Sequence, residues 1–474
     1  MLHRSKVVFY FAYLVPLLLF IALQLLNFDG LYGQDSYEYI RYTRALKSFF
    51  SGGEYPGDLV WPKGYPILIV LFSYLFPLVF SAQLINLLSF YGIAYFLQKI
   101  IRLNHGSNKE SLVMLLPLVF LLSPYMLRLS LVVMADTLSI FCLLAAVYYS
   151  FLYQKQASLK RLTAFVFFAS LAVFCRYAAL IPLLPFLIWI AFLWFKERKF
   201  HHALAFIPGF LLLSIHFYLE GNGSDFSNHY FIENWSVGNF FRRTFILDPS
   251  YQLPDEHYLL PNLLYYFLRL FHPGFFLLSL PAILIFRKNW SRFFSGKSRL
   301  FFISTVLYVL FLSGITFQSP RYLSLIYPFF LLLIFPSIVA LFEKFKKKKT
   351  FFILSLTLIQ LLLFAKAFYP FYQMNQFEQY LAKELRPYQS NVLYSFEVDI
   401  ALQNRGLDFD YRSLWSESYE DFQEGAYVLF NPERISERFG GMNPMVNWEN
   451  MKQSKELVEV KEFNQAWKLY RIEP

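Results

Sequence analysis

The chain is a succession of apolar stretches, each about 20 residues long, separated by short polar turns, and a helix of that length crosses a bilayer's hydrocarbon layer. In lipid the backbone must satisfy its own polar groups, so spanning segments without a strand pattern are read as helices. Stretches near 7–26, 83–101, 111–128, 137–153, 162–175, 178–195, 203–219, 265–286, 300–317, 322–342 and 351–369 meet this requirement, which gives eleven predicted crossings. The segment 64–80 is equally apolar but shorter, and counting it as a crossing breaks the charge alternation described next. It is read as interfacial or re-entrant. Composition agrees: 57% of residues are hydrophobic, with 58 Phe, against the ~45–50% apolar content of soluble domains.

Lys and Arg beside membrane spans are retained on the cytoplasmic side, so their positions set the orientation. On the eleven-crossing reading, Arg4 and Lys6 fall on the same side as Lys99, Arg102, Lys109, Lys155, Lys160 and Arg161. The groups at 196–199, 287–299 and 344–349 join them, opposed only by Glu110, Glu197 and Glu343. The prediction is a multi-pass plasma-membrane protein with a cytoplasmic N-terminus and an extracytoplasmic C-terminus. The apolar segment after Lys6 lacks a small-residue cleavage pattern and reads as a retained first helix. The formal charge of +11 is spread in short runs between apolar segments, which fits membrane orientation and membrane lipids as partners, with no nucleic acid. Cys142 and Cys175 lie inside apolar segments and imply no disulfide framework.

Three parts fall on the outer side: a first loop at 27–82, a second at about 220–264, and a polar tail. In the tail the runs NVLYSF, YVLFNP, LVEVKEF and WKLYRI read as strands between turn residues. The expected fold class is an all-α polytopic membrane domain over 1–369, with about eleven transmembrane helices and an amphipathic helix in its first outer loop. A small C-terminal α/β extracytoplasmic domain follows over 370–474.

Four charged residues share the outer side on a topology chosen from other charges. Asp35 opens GQDSYEYIRYTRALKSFF, where Asp35-Ser36-Tyr37-Glu38 fits a helix capping box and Tyr39, Tyr42, Leu46, Phe49 and Phe50 form one apolar stripe. The helix is expected to lie on the membrane surface. A cap does not exclude catalysis, because a helix N-terminus favours an ionised carboxylate. Asp136, in MADTLSIF, either caps its span or serves as a functional acid at the mouth of two apolar spans. Arg176 interrupts more than 30 apolar residues in FCRYAALIP, and Arg321 begins a late span in SPRYLSLIYPF. Each arginine marks a turn between spans or a site for an anion. Two acids and two arginines facing one compartment suit a negatively charged lipid-phosphate substrate.

The order of these features resembles the GT-C superfamily of polytopic glycosyltransferases, especially the bacterial branch related to protein O-mannosyltransferases and aminoarabinose transferases. The pieces that carry the resemblance are GQDSYEYI, WPKGYPILIVLF, MADTLSIF, FCRYAALIPLLP and SPRYLSLIYPF, over about residues 1–340. Two features depart from the pattern: the first loop has Asp-Ser where Asp-Glu is common, and the prolines of WPKGYP are not adjacent. The resemblance implies a polyprenyl-phosphate sugar donor and a hydroxyl of a lipid, glycan or protein as acceptor. By that resemblance Asp35 is the general base of an inverting transfer, and Arg176 and Arg321 hold the leaving phosphate. Asp136 orients the acceptor, or shares a divalent cation (Mg or Mn) with Asp35. Glu38, His229, Arg242 and His257 are secondary candidates for the acceptor. Asp225, Glu233, Arg243, Asp255 and Glu256 are further acceptor candidates in the second loop, where they, His229, Arg242 and His257 are alternatively plain solvated charges.

A polytopic transporter has similar hydropathy but should carry ionisable residues at mid-membrane, and here only His216, Arg269 and His272 come near. A non-catalytic envelope assembly factor would leave Asp35 without a role beyond capping.

Overall fold

Proline and polar residues decide where the apolar stretches become continuous helices and where they break. The structure, a computed structural model, describes residues 2–105, 113–220, 236–247, 259–285, 296–315, 318–345 and 348–474. Among them, six helices are long and apolar enough to cross a membrane: Leu78–Asn104, Asp136–Lys155, Tyr177–Glu197, Phe200–Leu219, Tyr327–Lys344 and Thr350–Glu384. Leu2–Leu25, Leu159–Cys175 and Ser298–Ser313 add further apolar helices. Asp136–Lys155 is enclosed by its neighbours, whereas Tyr177–Glu197 and Phe200–Leu219 leave Ile188, Phe192 and Phe210 exposed, as a helix facing lipid does.

Two predicted crossings are not single helices. The stretch at 111–128 becomes Leu115–Leu121 and Pro124–Leu131, because Pro124 lacks an amide proton and holds Ser123 extended. Both pieces are buried almost throughout. The stretch at 265–286 is divided into Asn262–Arg269, Pro273–Phe276 and Ser279–Ile285, again with proline starting a new piece. His272 accepts the Gly274 amide at 3.0 Å and stacks on Tyr125, so it caps the short helix Pro273–Phe276. The segment at 64–80 is a nine-residue helix, Gly64–Phe72, too short to cross, followed by a turn into Leu78–His105.

The helix Gly33–Phe50 is amphipathic as expected, but its stripe packs on protein. Tyr42 and Leu46 are fully buried against Leu59, Val70 and Leu219. The helix begins at Gly33, two residues before Asp35. Asp35 is in the first turn, Glu38 pairs with Arg41 at 2.8 Å, and Ser36 donates to the Tyr32 carbonyl.

The chain divides into two compact units. The first holds Met1–Gly30, Tyr42–Ile246 and Leu260–Pro370, and the second gathers 371–474 with Leu31–Arg41. The predicted tail thus begins within the 36-residue helix Lys349–Glu384, which belongs to the second unit from Phe371 onward. That unit carries a five-stranded sheet of β1 (Val392–Ser395), β2 (Asp410–Ser413), β3 (Tyr427–Phe430), β4 (Glu456–Glu462) and β5 (Lys468–Glu473). The order is β2-β1-β3-β5-β4, with the first three strands parallel and the last two antiparallel to their neighbours. Side chains alternate between faces. Leu393, Leu429 and Leu469 join Phe377 and Leu381 on one side, while Tyr394, Val428 and Phe430 join Ile435 and Trp448 on the other.

Gly64 shows how tightly the first unit is packed. A Cβ there would lie 2.6 Å from the Phe174 carbonyl oxygen, which is backbone and cannot rotate away. Gly64→Val should therefore cost about 1–3 kcal/mol by overpacking, read as a lower thermal midpoint in detergent. An unchanged midpoint would contradict the close approach.

Candidate active site

The helix Asp136–Lys155 begins with its acid, and the Asp136 side chain is only 1% exposed. One carboxylate oxygen accepts from Arg176 Nη1, and the other accepts from Arg321 Nη2 at 3.0 Å. Both arginines are more open than the acid, at 17% and 23%. An isolated carboxylate buried in this way would be strongly unfavourable, and the guanidinium groups supply both counter-charge and fixed geometry.

Each member reaches the cluster from a break in helical structure. Arg176 stands in extended conformation just after the helix Leu159–Cys175, before a short 3-10 turn at Tyr177–Ala179. Its place is secured by Ser139, whose hydroxyl donates to the Ala172 carbonyl at 2.9 Å, tying the helix before Arg176 to the helix that carries Asp136. The turn before Asp136 is held by Asn86, which donates to the Val132 carbonyl at 2.6 Å, and by the Val133 amide donating to Gly30. Gly30 has φ +80 and lies so close to Gln83 that a Cβ would overlap it.

Arg321 follows Pro320 at the start of another 3-10 turn, Pro320–Leu325. Asn262 donates to the carbonyls of Ser313 and Ile315, while Gln318 donates to Asn262 Oδ1 at 3.0 Å and to the Leu260 carbonyl. The Ser319 amide donates to the Tyr266 hydroxyl. The Arg176 guanidinium also stands over the Tyr322 ring, 5.7 Å from its centroid.

Beside Tyr177, the residue that follows Arg176 in sequence, the first unit contains a cavity of about 450 Å³, lined almost wholly by apolar side chains. Its walls come from Leu159–Cys175, Tyr177–Glu197 and the helix Ile207–Glu220, and both Tyr177 and His216 line it. His216 therefore belongs to this cavity wall, packed edge-on against Phe174 and Tyr177.

The other sequence-predicted residues divide as follows. Asp35 and Glu38 belong to the second unit, Asp35 half-buried and Glu38 bound to Arg41 through both oxygens. Arg242 is exposed in the helix Val237–Phe245, whereas its neighbour Arg243 is buried. His229, His257, Asp225, Glu233, Asp255 and Glu256 lie outside the described residues. Among the described residues no group of three or more His, Cys, Asp or Glu gathers to hold a metal ion. Each Asp136 oxygen accepts one arginine hydrogen bond.

Sequence reasoning missed two features. Lys63, in WPKGYP, is 2% exposed, with its ammonium donating to the Leu219 carbonyl at 2.7 Å. A lysine between two prolines gave no periodic signal of burial. In the second unit, Tyr37 donates to the Glu378 carboxylate and accepts from Arg405 Nη2 at 3.0 Å, joining residues more than 300 positions apart. Such a contact leaves no local pattern.

Substituting Asp136→Asn should cost about 3–5 kcal/mol, since it removes the buried carboxylate that the two guanidinium groups share. Adding Arg176→Gln should cost less than the sum of the two single changes, because they share one interaction. Thermal unfolding of the two single variants and the double variant measures this, and strict additivity would contradict the coupling.

The fold is similar to that of ArnT from Cupriavidus metallidurans, in the crystal structure bound to undecaprenyl phosphate. The TM-score is 0.60 at 14% identity, covering 96% of this chain and 97% of that one. Against the apo state of the same protein the TM-score is 0.55 at 15% identity, with the same coverage. No protein-family model and no curated protein matches the sequence. ArnT is an aminoarabinose transferase and a GT-C glycosyltransferase. With its apolar helices and this likeness over nearly its whole length, the chain is a multi-pass membrane protein with an ArnT-like fold.

Proposed function

We propose that the protein is a membrane glycosyltransferase that moves a sugar from a polyprenyl-phosphate donor to a hydroxyl of a lipid, glycan or protein. The observation that carries this reading is the cluster in which Arg176 and Arg321 flank the buried Asp136. These three groups carry one more positive charge than negative, and the more open members are the arginines. A phosphodiester monoanion is the complementary ligand, and a guanidinium can bind its oxygens in a bidentate manner. The apolar cavity lined by Tyr177, next in sequence to Arg176, suits an isoprenoid chain. The ArnT structure of the same fold was solved with undecaprenyl phosphate bound, which supports the same donor class here.

In this reading Asp35 is the general base. It accepts the proton of the acceptor hydroxyl as that oxygen attacks the anomeric carbon, and the bond from carbon to phosphate oxygen breaks with inversion. The lipid phosphate leaves as an anion and needs no proton, so stabilising its charge is the main electrostatic task. Arg176 and Arg321 perform it. Asp136 acts through them as a positioning residue, holding both guanidinium groups in place. The distribution of Lys and Arg supports chemistry on the outer face of the plasma membrane, with the N-terminus cytoplasmic and the C-terminus extracytoplasmic.

Asp35→Asn should abolish transfer while the protein inserts and purifies normally, because the amide keeps the shape but accepts no proton; retained transfer would falsify the base assignment. Arg176→Ala and Arg321→Ala should each weaken undecaprenyl phosphate binding by about tenfold or more, as expected for a lost charge-assisted contact. Unchanged affinity in both variants would remove them from the donor site.

A further inference from the structure

We infer that Tyr37, Glu378 and Arg405 are positioning residues for Asp35, so that the C-terminal domain sets the geometry of the base. The inference rests on Asp35 being that base.

The anchors that bracket Asp35 come from the second unit's own C-terminal part. On one side Asn375 donates to the Leu31 carbonyl at 2.8 Å, and Tyr32 stacks on Phe371 with ring centroids 3.8 Å apart. On the other side the Tyr37 hydroxyl donates to Glu378 and accepts from Arg405. Ser36 closes the turn by donating to the Tyr32 carbonyl at 2.8 Å. The first turn of a helix is where the backbone is least tied by its own hydrogen bonds, so outside anchors decide where a residue there points.

The Tyr37 network is built as a lock. Tyr37 is 1% exposed and Glu378 2% exposed, and the Arg405 side chain is 11% exposed. Arg405 lies 3.8 Å from the Glu378 carboxylate, with its guanidinium carbon 5.7 Å from the Tyr37 ring centroid. Tyr37 thus bridges a buried acid and its counter-charge. Removing the arginine leaves the acid without this counter-charge in a poorly hydrated place, which favours opening of the network. Gln379 donates to Asn375 Oδ1 at 2.8 Å, orienting the amide that holds Leu31. Anchoring of this kind matters for a base, since a misplacement of about 1 Å can cost on the order of a hundredfold in rate.

The test uses the full-length protein in lipid nanodiscs and compares Arg405→Gln with the unsubstituted chain. Hydrogen–deuterium exchange of residues 31–41 should accelerate about tenfold or more, while β1 and β3 keep their protection, as expected for local opening. Undecaprenyl phosphate binding should be unchanged. For release of undecaprenyl phosphate from a panel of undecaprenyl-phosphate sugars, kcat should fall about tenfold or more at unchanged KM, with Arg405→Lys restoring part of it. Unchanged exchange at 31–41, equal opening of the sheet, or unaltered kcat would overturn the inference. Asp35→Asn in the same assay separates the two ideas. If it is inactive while Arg405→Gln behaves as the unsubstituted protein, the positioning role falls and the base stands. If Asp35→Asn is fully active, the base assignment falls, and the inference with it, even where residues 31–41 open as expected.

Discussion

The first unit depends on one buried carboxylate held between two arginines. Asp136, Arg176 and Arg321 are far apart in sequence, and a carboxylate enclosed by apolar helices requires both counter-charge and hydrogen bonds. Much of the surrounding architecture supports that arrangement. Ser139 ties two helices at the level of Ala172, Gly64 allows the 64–72 helix to press on Phe174, and Asn262 with Gln318 fixes the approach to Arg321. All three charged side chains are delivered from helix starts or breaks, where the backbone can turn a side chain out of the helix lattice. The cluster therefore gives both stability and a fixed pair of phosphate-binding groups.

The second unit is more than a tail. It includes Leu31–Arg41, so the proposed base is folded with the C-terminal sheet, while the arginines belong to the membrane unit. Asp35 is held by contacts that reach forward to residues 371–379 and 405.

Hydropathy made the all-helical membrane part legible, because a run of about 20 apolar residues has few alternatives. It did not reveal that 111–128 and 265–286 are broken, since Pro124 and Pro273 interrupt helices without lowering the average hydropathy. Four of the five strands were readable as strand-like runs between turn residues. β2 was not, because DYRS is a short polar edge strand. Asp136, Arg176 and Arg321 were singled out as charges interrupting apolar sequence, but their pairing was not visible in one dimension. The capping box at Asp35 marked a helix start, which the structure places two residues earlier, at Gly33, with Glu38 bound to Arg41 one turn on.

The account is tested most directly by incubating the purified protein in lipid with a panel of undecaprenyl-phosphate sugars and measuring liberated undecaprenyl phosphate. A glycosyltransferase with this donor class should release the lipid phosphate from at least one member, and Asp35→Asn should not. Release from none of them, in a preparation that binds undecaprenyl phosphate with Arg176 and Arg321 intact, would contradict it.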